Sequence, residues 1–230
     1  MYRMGLVRSV NLTIDTMKIL IACEYSGAVR DAFIKQGHNV MSCDLLPTDS
    51  PGPHYQGSVF DILNDGWDMM IAHPPCTYLA VSGNRWLYNK DKTRNEERWK
   101  NREDGLDFVR ALMNAPIEKI AIENPVSCIS SEIRKPDQII QPWQFGDEAQ
   151  KTTCLWLKNL PKLKPTKIVG KGEFTTFKSG KRHPKWYADA LATAKTKAER
   201  QKLRSKTFQG IADAMAEQWG VKTTKQLELI

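Results

Sequence analysis

The run His73-Pro74-Pro75-Cys76 places a thiol after two prolines, just beyond an apolar stretch that ends at Ala72. Consecutive prolines stiffen the backbone and fix where the following side chain points. A structural cysteine sits more often inside an apolar strand, as Cys23 and Cys43 would here. Cys76, in the stiff loop beyond the strand, is therefore a candidate nucleophile. His73 can lower the thiol's pKa or simply cap the strand, and capping is the favoured role. Downstream, Ser82-Gly83 predicts a flexible loop able to close over a ligand.

A second constellation is Ile122-Glu123-Asn124-Pro125, closing the apolar run Ile117–Ile122. A carboxylate at the lip of a buried sheet is partly desolvated, which raises its pKa. A glutamic acid protonated near neutrality can donate to a ring nitrogen. The alternative is a surface Glu that merely ends a strand. Ala22-Cys23-Glu24-Tyr25-Ser26-Gly27 lies between a strand and a helix, where small residues let a ligand approach the backbone. Asp44 and Asp61 follow further apolar runs. The first position suits paired ribose hydroxyls and the second an adenine amino group, although turn formation is the commoner use of Asp. Lys151 opens the alternating run Thr152–Leu157, in which Cys154 reads as core. Thr207–Ala212 opens the last helix, as a lid or as packing.

These residues need elements to hold them. Short apolar runs alternating with helical spacing over the first 125 residues predict βαβ units and a parallel sheet. The expected strands are Met17–Cys23, Val40–Cys43, Val59–Ile62, Trp67–Ala72 and Ile117–Ile122. The expected helices are Ala28–Gln36, with Val29, Ala32 and Phe33 inward, and Asn95–Met113, with Trp99, Leu106, Val109 and Leu112 inward. Ligands of such sheets bind at the carboxyl ends of the strands, where the candidate residues cluster. Beyond Pro125, Ile139–Phe145 and Thr152–Leu157 predict an antiparallel edge, and Lys162–Lys185 a mobile loop. Trp186–Lys206 predicts a basic helix, and Gln209–Trp219 a final one. No internal repeat is evident.

The chain has 230 residues and a net charge of +8, unevenly placed. Residues 151–206 carry 16 Lys/Arg against three acids, leaving the rest of the chain net negative. Such a flank suits a polyanion, or serves only solubility. No apolar run is long enough to span a bilayer, and no signal-like stretch opens the chain. Met17 is a plausible alternative start. Five cysteines without a CxxC pair argue against a disulfide framework or zinc module and for a reducing cytoplasm.

In this order, the motifs resemble the DNA cytosine-C5 methyltransferases, most closely their compact phage-encoded members. Pro74-Pro75-Cys76 looks like the family's nucleophile loop and Glu123-Asn124-Pro125 like its Glu-Asn motif. Ala22–Gly27, with Asp44 and Asp61 behind it, resembles the cofactor loop, and Thr207–Trp219 the helix that completes the cofactor pocket. Two family elements differ: the Phe-x-Gly turn is replaced by Cys23–Gly27, and Gln-x-Arg-x-Arg is not evident, Lys151 being the candidate substitute.

The resemblance implies a Rossmann-like S-adenosylmethionine-dependent α/β fold with a small basic C-terminal insertion. It implies an extension over residues 1–16, a catalytic core over 17–128 and 207–230, and a target-facing region over 129–206. Cys76 would attack cytosine C6 and Glu123 would protonate N3. Cys23, Glu24, Tyr25, Ser26, Gly27, Asp44, Asp61 and Pro74 would bind S-adenosylmethionine, while Asn124, Ser82 and Lys151 would bind substrate. The expected partner is DNA with a flipped or single-stranded cytosine, with no metal and no membrane. Alternatives are C5 chemistry on another pyrimidine or a free nucleotide, and a catalytically silent DNA-binding protein. An amino-methyltransferase would need an aromatic residue after the paired prolines, which Cys76 does not provide.

Overall fold

The computed structural model describes residues 16–221. The expected N-terminal extension, apart from its last residue, and the end of the expected core, 222–230, lie outside them.

The chain opens with β1 (Lys18–Ala22), α1 (Ala28–Lys35), β2 (Asn39–Asp44), β3 (His54–Gln56) and β4 (Met69–Ala72). It continues with α2 (Glu96–Met113), β5 (Lys119–Asn124), the short α3 (Ile129–Glu132), β6 (Gln138–Ile140) and β7 (Thr153–Lys158). Then come β8 (Phe174–Thr176), β9 (Arg182–Pro184), α4 (Lys185–Thr193), α5 (Lys197–Ser205) and α6 (Gln209–Trp219). One seven-stranded sheet has the order β3-β2-β1-β4-β5-β7-β6, and only β7 runs against the others. The fold is thus the expected Rossmann-like α/β sheet.

Period-two alternation divides the core between two faces. Ile19 and Ile21 point with Val29, Phe33, Met215 and Trp219 toward α1 and α6. Leu20 and Ala22 point with Leu106, Val109 and Leu112 toward α2. Cover on both faces explains why β4 is wholly apolar and buried rather than alternating. Each fully buried Ile or Leu contributes about 1.5–3 kcal/mol. Strand order reverses between β1 and β4, so a crevice opens beyond their carboxyl ends.

Several expectations are corrected. Val59–Ile62 is not a strand: residues 59–61 form a 3-10 turn capped by the Ser58 hydroxyl, and the third strand is His54–Gln56, directly after Pro51-Gly52-Pro53. The strand expected over Ile139–Phe145 stops at Ile140, because Pro142 lacks a ladder N–H and starts a 3-10 turn. The segment Lys162–Lys185, expected as loop, contains the β8–β9 hairpin. The single helix expected over Trp186–Lys206 is two, since Thr196 and Glu199 form a capping box that starts α5. Residues 129–206 thus contribute to more than one sheet. β6 and β7 belong to the main sheet, and the hairpin, α4 and α5 follow it.

Arg30, in α1, is fully buried. Its guanidinium donates to Asp31, Ser42 Oγ, Thr48 Oγ1 and the Ser50 and Pro51 carbonyls. Replacing it with Met would strip one buried and several part-buried acceptors of their donor, at about 1–3 kcal/mol for each that is shut off from water. Arg30→Met should therefore lower the unfolding free energy by about 3 kcal/mol or more in urea melts with an unchanged m-value. A loss below about 1 kcal/mol would mean that the 48–51 loop does not depend on this residue.

Candidate active site

The site is built by register. β4 and β5 pair in parallel with Ala72 beside Ile122, so the next residues, His73-Pro74 and Glu123-Asn124, also stand side by side. The His73 backbone N–H donates to Ala22 O of β1 at 2.9 Å, fixing the turn out of β4. With the Glu123 carboxyl ionised, His73 Nδ1–H donates to Glu123 Oε2 at 3.1 Å; both side chains are nearly buried. The favoured capping role for His73 thus gives way to a partnership with the carboxylate. Asn124, expected to touch substrate, is buried instead, and its Nδ2 donates to the Pro74 carbonyl at 2.9 Å. It is a strut that holds the proline pair in place.

Cys76 stands exposed at the start of a turn in which Leu79 and Ala80 N–H groups donate to its carbonyl. The chain beyond is pinned rather than flexible. Ala80 bridges Ser127, Val81 N–H donates to Val126 O, and Cys128 N–H donates to Leu79 O. Ser82-Gly83 lies in a 3-10 helix, Val81–Leu87, with Ser82 exposed. Arg98 donates to Thr77 O at 3.0 Å and packs against Gly83, where a Cβ would stand 2.7 Å from Nη2. The expected closing loop is corrected on these contacts.

Lys151 lies half-buried near both Cys76 and Glu123, and its Nζ donates to Lys206 O at 3.1 Å. Burial pushes the Glu123 carboxyl up, but the His73 hydrogen bond and the Lys151 and His73 charges outweigh it. The carboxyl is held below its ordinary value, opposite to the expectation from burial, because a hydrogen-bond donor and a cation stand beside it. For Cys76, desolvation by the surrounding protein and then the Glu123 charge push the thiol up. Lys151 and Arg204 pull it only part of the way back.

The Cys23–Gly27 turn serves α1. Glu24 is buried, with its carboxylate accepting from the Val29 N–H at 2.7 Å and the Arg30 N–H at 3.2 Å, and Ser26 Oγ donates to it. An anion there complements the helix N-terminus. Gly27 is left-handed (φ 76°), and a Cβ would meet the Arg30 guanidinium at 2.6 Å. Cys23 is half-buried, its thiol raised by burial and by Asp44. Tyr25 hydroxyl donates to Lys202 O of α5 at 2.8 Å and shares a hydrogen bond with Ser205. Asp44 accepts from the Leu46 N–H, and Asp61 accepts from the Tyr55 hydroxyl. The two acids stand near Cys43, whose thiol is pushed up to about 11 by burial and then by their charges.

Sequence reasoning missed α5 at this site. Lys202 and Lys206 clasp Asp49, and Gln201 donates to Thr77 Oγ1 at 3.5 Å beside Cys76. A cleft of about 500 Å³ lies elsewhere, lined by Arg110, Ile122, Trp156 and Lys158, and holds none of the candidate residues except through the strand they end. No group of three or more His, Cys, Asp or Glu able to hold a metal occurs among the described residues. Nor, among them, is any helix long and apolar enough to cross a membrane.

The fold and strand-end site define a Rossmann-like α/β protein with paired thiol and carboxylate. No family model matches the chain, and no curated protein matches it. Among solved structures, the chain is similar to a methyltransferase of Entamoeba histolytica, EhMeth, with a TM-score of 0.44 and 15% identity. The match covers 67% of this chain and 58% of that one, so the chain spans little more than half of that structure's length.

The charges around Cys76 make its reactivity a direct readout. Glu123→Gln removes the anion that raises the thiol pKa, so more thiolate is present at pH 8 and alkylation by iodoacetamide should quicken. Lys151→Met removes a cation and should slow it. Peptide mapping by mass spectrometry separates Cys76 from the other four cysteines; opposite signs would show that these residues do not govern the thiol.

Proposed function

We propose that the chain is an S-adenosylmethionine-dependent methyltransferase acting at C5 of cytosine in DNA. The observation that carries this reading is the placement of Cys76 and Glu123 beyond the carboxyl ends of adjacent strands, with the Glu123 charge felt by the thiol. Cytosine C5 is a poor nucleophile until a group adds at C6. The Cys76 thiolate adds there while Glu123 gives a proton to N3, leaving the ring electrons available at C5. Loss of the C5 proton to solvent water after substitution returns the electrons, expels the thiolate and sends the N3 proton back to Glu123. His73 keeps one carboxylate oxygen of Glu123 occupied, which leaves the other for the base.

The residues at the β1–β2 end suit an adenosine-bearing cofactor. Asp44 engages only Oδ1 among the described residues, leaving Oδ2 for ribose hydroxyls, and Asp61 stands beyond it for the adenine amino group. Cys23–Gly27 offers backbone, since Glu24 is spent on α1. When bound, S-adenosylmethionine supplies the electrophilic methyl group. The lysines and arginines of the hairpin, α4 and α5 face the phosphates, so binding weakens steeply with salt.

A catalytically silent nucleic-acid-binding protein is the second reading, favoured by the closure of the Tyr25 hydroxyl against α5. Tritiated methyl transfer to duplex DNA, single-stranded DNA and dCMP separates the readings. Cys76→Ser should abolish transfer and leave cofactor affinity within a few-fold, and Glu123→Gln should cost about a hundredfold or more. Full activity of Cys76→Ser would sink the mechanism. Absent cofactor binding by calorimetry, with DNA binding intact, would favour the silent protein, and strong preference for dCMP would move the substrate to free nucleotides.

A further inference from the structure

Residues 77–102 follow the Cys76 turn and carry seven lysines and arginines against three acids. Within this segment large aromatic rings stand in solvent: Trp86 and Tyr88 are each 54% exposed and Tyr78 is 38% exposed. Clustered exposed apolar surface of this kind marks interaction sites. The rings sit on a braced scaffold. Trp99 Nε1 and the Asn95 N–H both donate to Leu87 O, and Tyr88 bridges Arg94 and rests edge-on against Trp99. Arg85 lies over the Trp86 ring at 4.4 Å, and Arg98 over the Tyr78 ring at 5.0 Å. Flat apolar faces with guanidinium groups beside them thus recur along one charged segment.

We infer that this face binds a nucleic-acid single strand, with Trp86 and Tyr88 stacking on unpaired bases and Arg85 and Arg98 meeting the phosphates. The inference rests on the nucleic-acid half of the proposed function, not on its chemistry. Phosphates are available in a duplex as well as in a strand, and the cations alone would bind either. Base faces are hidden in a duplex and open in a strand, so exposed rings act on the strand alone. Because the scaffold is already held, little ordering cost falls on binding. The segment starts one residue past Cys76, and Arg98 holds the Thr77 carbonyl, so the segment is tied to the turn that carries the thiol.

The test is fluorescence anisotropy of the full chain, without cofactor, on labelled oligo-dT and on a duplex of equal length at fixed salt. The strand should bind about tenfold or more tightly than the duplex. Trp86→Ala with Tyr88→Ala should lose about tenfold or more on the strand and little on the duplex, whereas Trp86→Phe with Tyr88→Phe should largely retain strand binding. Absent methyl transfer by the native chain, with its strand binding intact, would sink the proposed chemistry and leave this inference standing. Equal native affinity for strand and duplex would overturn the inference, even if the alanine variant fails to fold. So would equal losses on both ligands, or self-association abolished by the alanine variant with strand binding unchanged.

Discussion

The Arg30 guanidinium, closed off from water, reaches from α1 to β2 and to the loop that follows it. A buried cation must be surrounded by acceptors, and the loop over residues 48–51 supplies most of them. This leaves no room for a side chain at Gly27 or Gly52, where a Cβ would lie 2.6 and 2.8 Å from the guanidinium. The same loop then fixes its neighbours: Thr48 Oγ1 and the Asp49 N–H both donate to Tyr25 O. With Tyr25 and Asp49 held, their side chains present an hydroxyl and a carboxylate to α5. One buried charge thereby shapes the β1–β2 end of the crevice and the seat of the helix beside it.

At the other end the constraint is a proton. The free protein holds the Glu123 carboxyl toward its ionised form and the Cys76 thiol toward its neutral form, while the proposed addition needs the reverse. The proton count is the same in both arrangements, so the reaction requires relocation rather than uptake. Desolvation is already the largest influence on Glu123, opposed by His73 and Lys151. A neutral ring laid over the carboxyl adds desolvation and favours its protonated form. A neutral Glu123 in turn removes a charge that raises the thiol. In the proposed reaction, a ring bound over Glu123 would therefore favour the thiolate as well as the protonated carboxyl.

Much of this was legible in the sequence, because β1, α1, β2, β4, β5 and α6 announce themselves by periodicity. Cys76 and Glu123 were legible for the same reason, each following an apolar run that ends cleanly. Their neighbours were not. His73 meets Glu123 and Asn124 meets Pro74 only because β4 and β5 are adjacent with Ala72 beside Ile122, a long-range fact. Once that register is known, both contacts follow by stepping along the strands. The division of the basic segment into α4 and α5 did leave a local signal, Thr196 followed three residues later by Glu199. The third strand left none, since His54–Gln56 is a half-polar edge paired through β2.

Helix α5 joins these two ends. It belongs to the most basic part of the chain, yet its contacts run to the neutral-to-acidic body: Lys202 and Lys206 to Asp49, Lys202 and Ser205 to Tyr25, Gln201 to Thr77. The Lys–Asp clasps are partly exposed, where ion pairs are worth little and phosphates compete well. The same helix brings Arg204 close enough to lower the Cys76 thiol. A polyanion that drew α5 away would open the Tyr25 side of the crevice and withdraw a cation from the nucleophile. A polyanion that bound over α5 in place would keep both. The helix thus touches both ends of the crevice, Tyr25 and Asp49 at the β1 end and Thr77 beside the nucleophile at the β4 end, by hydrogen bonds as well as by charge.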